Sequence, residues 1–146
     1  MKKLNILWIC TDQQRADTLG CMGNEWVCTP NLDRLAAEGV VFENAYSQSP
    51  VCAPSRGSFL TGRYPRTCGP RQNGQDIDAG ERLFPKMLAD RGYYCGLAGK
   101  LHLSACHPDT GRLEEPRIDD GYHVFRWSHH PQPHHGTCLL YTSPSP

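Results

Sequence analysis

The apolar run from Leu4 to Cys10, closed off by Thr11, Asp12 and two glutamines, constrains the fold more than any other stretch of this chain. A strand with water on one face alternates apolar and polar residues, whereas a run of this kind fits a strand buried on both faces of a parallel sheet. Ligand sites in such α/β folds lie at the carboxyl ends of the strands. Here that end presents Asp12 and Gln13. The chain continues in the same style. Thr29 reads as an N-cap with Pro30 at the first helical position, Leu32, Leu35 and Ala36 as an apolar stripe, and Gly39 as the helix end. Val40, Val41 and Phe42 predict a short strand, and Ser55 to Thr61 predicts a helix ended by Gly62. Residues 67–80, rich in Gly, Gln, Asn and Asp, read as loop. Leu83 to Asp90, with Pro85 in its first turn and Gly92 beyond its end, predicts a helix that feeds a strand from Tyr93 to Ala98. Tyr122 to Trp127 is again strand-like. This alternation argues for an α/β fold with a largely parallel sheet flanked by helices.

A chain of 146 residues can bury a real core as one domain. Its 15 basic and 15 acidic residues balance, so no electrostatic argument favours a nucleic-acid or anionic-membrane partner, and any anion binding must be local. Eight cysteines are many, yet their spacing contains no Cys-x-x-Cys pair and no regular framework. That weighs against both a zinc ribbon and a disulfide-stapled scaffold. Lys2 and Lys3 precede the apolar run as in a signal peptide, but the run is short and no small-residue cleavage site comes before Asp12. A cytoplasmic protein with reduced thiols is the simpler expectation. No stretch approaches the roughly 20 apolar residues that span a bilayer. Residues 136–146, ending in Thr142-Ser143-Pro144-Ser145-Pro146, are of low complexity and are set apart as a tail of cloning or assembly origin, leaving 1–135 as the folded portion.

Cys52-Ala53-Pro54-Ser55-Arg56 resembles the Cys-x-Pro-Ser-Arg signature of the type I sulfatases, in which that cysteine is oxidised to formylglycine. The resemblance extends to the run from Asn5 to Asp17, to Thr29-Pro30-Asn31-Leu32-Asp33-Arg34-Leu35, to Leu60-Thr61-Gly62-Arg63-Tyr64-Pro65 and to Gly99-Lys100-Leu101-His102-Leu103. These occur in the family's order and cover the chain from about Asn5 to Pro133. The resemblance implies an alkaline-phosphatase-like fold and hydrolysis of a small-molecule or glycan sulfate ester. Members of the family run to several hundred residues, so it also implies an amino-terminal portion, inactive by itself, with further metal ligands downstream.

Cysteine alone is more often a small buried thiol; Pro54 and Arg56 at fixed offsets reverse that reading. A thiol attacking sulfate would leave a sulfur-linked species that is hard to hydrolyse, whereas a hydrated aldehyde carries two hydroxyls on one carbon. One attacks sulfur and expels the alcohol; deprotonation of the other ejects sulfate and restores the aldehyde. By the same resemblance Arg56, one helical turn beyond Cys52, supplies a fixed positive charge to that hydroxyl. Lys100 clamps the sulfate, and His102 takes the second hydroxyl's proton. Two residues apart at a strand end, Lys100 and His102 point the same way if strand geometry persists. Asp12 and Gln13, with modified Cys52, match the family's ligands to a divalent cation, calcium first and manganese second. The family usually has two aspartates, and a similar Asp-Gln pair occurs in related phosphonate monoester hydrolases. Asn73 matches an amide that contacts the transferred oxyanion, with a turn-forming Asn-Gly as its competitor. Asp17 reads as structural, paired with Arg15 or capping the next turn. His129, His130, His134 and His135 sit among prolines and read as an irregular substrate loop.

The partners implied are the sulfate ester and a formylglycine-generating enzyme. The alternative within the fold is a phosphonate monoester or phosphodiester hydrolase. From a different class comes an inactive fragment or a Cys/His-rich metal-binding module.

Overall fold

The computed structural model describes residues 3–105 and 115–128. The tail 136–146 and the four histidines at 129, 130, 134 and 135 lie outside the described residues. The chain divides into two units, residues 1–46 and 47–146.

In the first unit, two 3-10 turns, Ala16–Thr18 and Gly20–Met22, precede helix α1, Pro30–Glu38. Proline suits the first helical position because it lacks an N–H that would go unused there. Thr29 does not cap the helix with its side chain. Its hydroxyl instead accepts the Gly20 N–H at 2.8 Å and donates to Asp33 at 2.9 Å, while Asp33 also accepts the Cys21 N–H at 2.7 Å. The cap residue is thus diverted into tying the preceding turn to the helix. Arg15 and Asp17 form the expected ion pair on the surface, where such pairs add little stability.

Two expectations fail in this unit. Leu4–Cys10 and Val40–Phe42 form no strand, and Leu7 is 85% exposed. A parallel strand is held only by neighbours in its sheet, and none pairs with either run among the described residues. The stripe of α1 is likewise uncovered, with no buried residue on the helix. Propensity and capping fix a helix locally, but burial needs a second layer.

The second unit holds the core: Leu60, Ile77, Leu83, Leu101 and Leu103 are buried, with Phe59, Phe84, Leu97, Ile118, Tyr122 and Phe125 packed against them. Helix α2, Cys52–Thr61, starts three residues earlier than its polar sequence predicts. It ends where expected, at Gly62, whose φ of 70° lets its N–H close on the Ser58 carbonyl at 2.8 Å. A short α3, Pro65–Cys68, opens the predicted loop, and α4, Phe84–Ala89, carries Pro85 in its first turn. Strands β1, Gly96–Gly99, and β2, Val124–Trp127, pair in parallel, Gly96 opposite Val124 and Gly99 opposite Trp127. The predicted parallel sheet is present as this pair. β1 is shorter than the Tyr93 to Ala98 run and displaced toward the site, since Cys95 instead accepts the N–H groups of His123 and Val124 outside the ladder. Among the described residues no helix is long and apolar enough to cross a membrane.

Candidate active site

Helix α2 begins at Cys52, so the cysteine sits at the end where backbone N–H groups lack intrahelical partners. Val51 at the N-cap has no side-chain acceptor to offer. The acceptor comes from 20 residues away: Asn73 Oδ1 takes the Ala53 N–H at 3.0 Å. Gly74 beside it has φ 86°, so the Asn-Gly turn is also real. Its geometry delivers Asn73 to the helix end. Replacing Asn73 with alanine is expected to cost about 1 kcal/mol of stability as a lost cap, seen as a lower Tm; an unchanged melt overturns the capping role.

Below Cys52 the helix is buried at Ala53, Pro54, Arg56, Gly57 and Ser58. Arg56, 8% exposed, donates to the Lys100 backbone carbonyl. This bond ties the cysteine helix to the segment after β1. The guanidinium has five N–H donors, so one bond to a carbonyl leaves capacity for an anion. Cys68, buried against the middle of α2, has its thiol pushed up by burial, which makes it inert as a nucleophile.

The segment after β1 does not continue as a strand. His102 has φ 57°, and it and Gln13 are the two non-glycine residues with positive φ among the described residues. Alternation therefore does not set where Lys100 and His102 point, contrary to the strand-end expectation. The left-handed region is sparsely populated by non-glycine residues and recurs at functional positions. His102 is 2% exposed, with both ring nitrogens shut off from solvent. Its neighbour Leu103 accepts the Ile77 N–H at 2.8 Å, and Asp76 accepts the Ala105 N–H at 2.7 Å. The loop carrying Asn73 is thus bound to the loop carrying His102.

Sequence reading missed Glu115. It is 4% exposed and accepts N–H groups from His102, Leu103, Ser104 and the Trp127 indole. Burial pushes its carboxyl up, against four donors that pull it down. No motif marks this glutamate, and its partners are set only by tertiary folding.

The second unit thereby links Cys52, Arg56, Asn73, Lys100 and His102 through bonds between their own segments. Asp12 and Gln13 belong to the first unit and are exposed. Their adjacent carboxylate and carboxamide oxygens are hard donors of the type that suits calcium, magnesium or manganese. They are too few to complete a coordination sphere, and no group of three or more His, Cys, Asp or Glu able to hold a metal occurs among the described residues.

The chain is similar to solved structures. An enzyme solved in complex with its substrate D-glucosamine-2-N,6-O-disulfate is 31% identical, with a TM-score of 0.73 over 92% of this chain and 24% of that one. The phosphonate monoester hydrolase of Agrobacterium radiobacter is 30% identical, with a TM-score of 0.61 over 80% of this chain and 24% of that one. The fold is that of the alkaline-phosphatase-like hydrolases. A sulfatase family model matches residues 4–132, and the chain belongs to the sulfatase family. The N-acetylglucosamine-6-O-sulfatase of Bacteroides thetaiotaomicron is 31% identical over 128 residues, 88% of this chain. The chain spans 21% of that relative's length.

Proposed function

We propose that this chain carries the nucleophile-bearing part of a sulfuric ester hydrolase. The observation that supports it most is the bond from Arg56 to the Lys100 carbonyl, which joins the Cys-x-Pro-Ser-Arg helix to the Lys-x-His segment in a member of the sulfatase family. Formylglycine made from Cys52 by a formylglycine-generating enzyme would supply a hydrated aldehyde, two hydroxyls on one carbon. Arg56 holds positive charge against the hydroxyl, and Lys100 against the sulfate oxygens. His102, enclosed by protein, accepts the proton that must leave when sulfate is released. Asn73 fixes the helix end with its oxygen and offers its amide nitrogen to the anion. Asp12 and Gln13, with modified Cys52, hold the divalent cation, calcium first and manganese second, together with residues elsewhere in the protein. The substrate is a sulfated small molecule or glycan. We take the setting to be a reducing compartment, the cytoplasm, because eight cysteines show no framework spacing.

One observation favours a second reading. Gln13 stands where the family usually has a second aspartate, and the chain is similar to a phosphonate monoester hydrolase. A matched pair of substrates decides between them. The full-length protein is expected to show a higher kcat/KM on an aryl sulfate than on the corresponding aryl phenylphosphonate. A large preference for the phosphonate would replace the sulfatase activity while leaving the roles of Cys52, Arg56, Lys100 and His102 in place.

A further inference from the structure

Glu115 stands apart from every motif, yet it is bonded into the loop that holds His102. Its Oε2 accepts the His102 N–H at 2.7 Å and the Trp127 Nε1–H at 3.0 Å, and its Oε1 accepts the N–H groups of Leu103 at 2.5 Å and Ser104 at 3.0 Å. Three successive amides can converge on one carboxylate because the backbone turns through the left-handed region at His102, φ 57°. That conformation makes a concave nest of N–H groups, the kind of backbone feature that binds anions. Here the anion is the protein's own side chain.

A glutamate 4% exposed is a poor choice for core filling, since a buried carboxylate must be desolvated and an apolar side chain of similar volume is often at least as stabilising. What an apolar residue cannot do is gather three amides and an indole N–H at one point. Each of those donors belongs to an element of the site. His102 to Ser104 form the loop beyond Lys100, and Trp127 ends β2, directly opposite Gly99 in β1. The carboxylate therefore couples the left-handed turn at His102 to the end of the sheet.

We infer that Glu115 is a positioning residue for His102: by filling the backbone nest of residues 102–104 it holds the strained turn that aims the imidazole. The inference rests on the role given to His102 under Proposed function. Glu115 acts on His102 through the backbone, with the Trp127 indole as its further anchor.

In Glu115→Gln the side chain keeps its shape, but one carboxylate oxygen becomes an NH2 donor facing N–H groups. In the full-length protein kcat is expected to fall about 10- to 100-fold, the scale of a small misplacement at a reacting centre, with KM changed less than about threefold. Hydrogen exchange at the amides of His102, Leu103 and Ser104 should accelerate, while amides in α4 keep their protection. The deciding comparison is the double variant. If Glu115 acts through His102, then His102→Ala with Glu115→Gln is no slower than His102→Ala alone, whereas a purely structural role makes the two losses multiply. Should Glu115→Gln not fold, Trp127→Phe removes one of the four donors and should lower kcat a few-fold, again without effect in the His102→Ala background. Normal kcat in these variants, or multiplying losses, overturns the positioning role. Full activity in His102→Ala instead overturns the reading of His102 on which it stands.

Discussion

Cys52→Ala in the full-length protein is expected to lower kcat on a sulfate ester by about 10⁴-fold or more, the scale seen when a covalent nucleophile is removed. The fold should survive. Cys52 is the first residue of α2 and only partly buried, and alanine has the highest helix propensity. The cap from Asn73 reaches the Ala53 backbone, which the substitution leaves alone. The variant should therefore melt within a degree or two of the parent and differ only in turnover. Peptide mass spectrometry supplies the independent arm. Co-expressed with a formylglycine-generating enzyme, the parent should show the mass loss of thiol-to-aldehyde conversion at Cys52, because Cys-x-Pro-Ser-Arg lies in one short continuous segment. Turnover that survives in Cys52→Ala would sink the nucleophile assignment, and an unmodified but active Cys52 would sink the formylglycine.

The signals that proved legible in the sequence were local ones. Pro30 and Pro85 mark the first turns of α1 and α4, and Gly62 stops α2, because fixed φ in proline and free φ in glycine act within one or two residues. The parallel sense of the sheet was legible too, since alternation of strand and helix argues for it, although which strands pair was not. The strand expected at Leu4–Cys10 is absent. Its apolar run specifies what the segment needs, burial on both faces, while the neighbours that would meet that need are a tertiary matter. The site divides the same way. Cys52, Arg56, Lys100 and His102 stand out by their resemblance to family motifs, whereas the left-handed turn at His102 and the buried Glu115 beneath it depend on contacts across 11 to 13 residues that no motif encodes. Asn73 is intermediate: Asn-Gly foretold the turn, but not that the turn exists to cap the cysteine helix.

Gly121→Ala should be far more damaging to the fold than Gly62→Ala, although both glycines have positive φ, 85° and 70°. At Gly62 a Cβ meets nothing within 4 Å, so alanine there bears only the left-handed penalty of about 1 kcal/mol. At Gly121 the added carbon falls 2.4 Å from Lys86 Cα and 2.6 Å from Lys86 N. Those are backbone atoms in the first turn of α4, and they cannot swing aside as a side-chain tip would. The chain around Gly121 is equally fixed. Asp120 is 1% exposed, holds Arg117 through both carboxylate oxygens and accepts the Tyr122 N–H at 2.9 Å. Tyr122, its phenol pushed up to about 12 by burial, packs into the core two residues before β2. Strain and backbone overlap together are expected to cost at least about 3 kcal/mol, enough to part α4 from the Asp120–Tyr122 turn. Urea midpoints of the two variants in the full-length protein give the test. A difference of less than about 1 kcal/mol between them would mean that α4 and the Asp120–Tyr122 turn do not meet backbone to backbone.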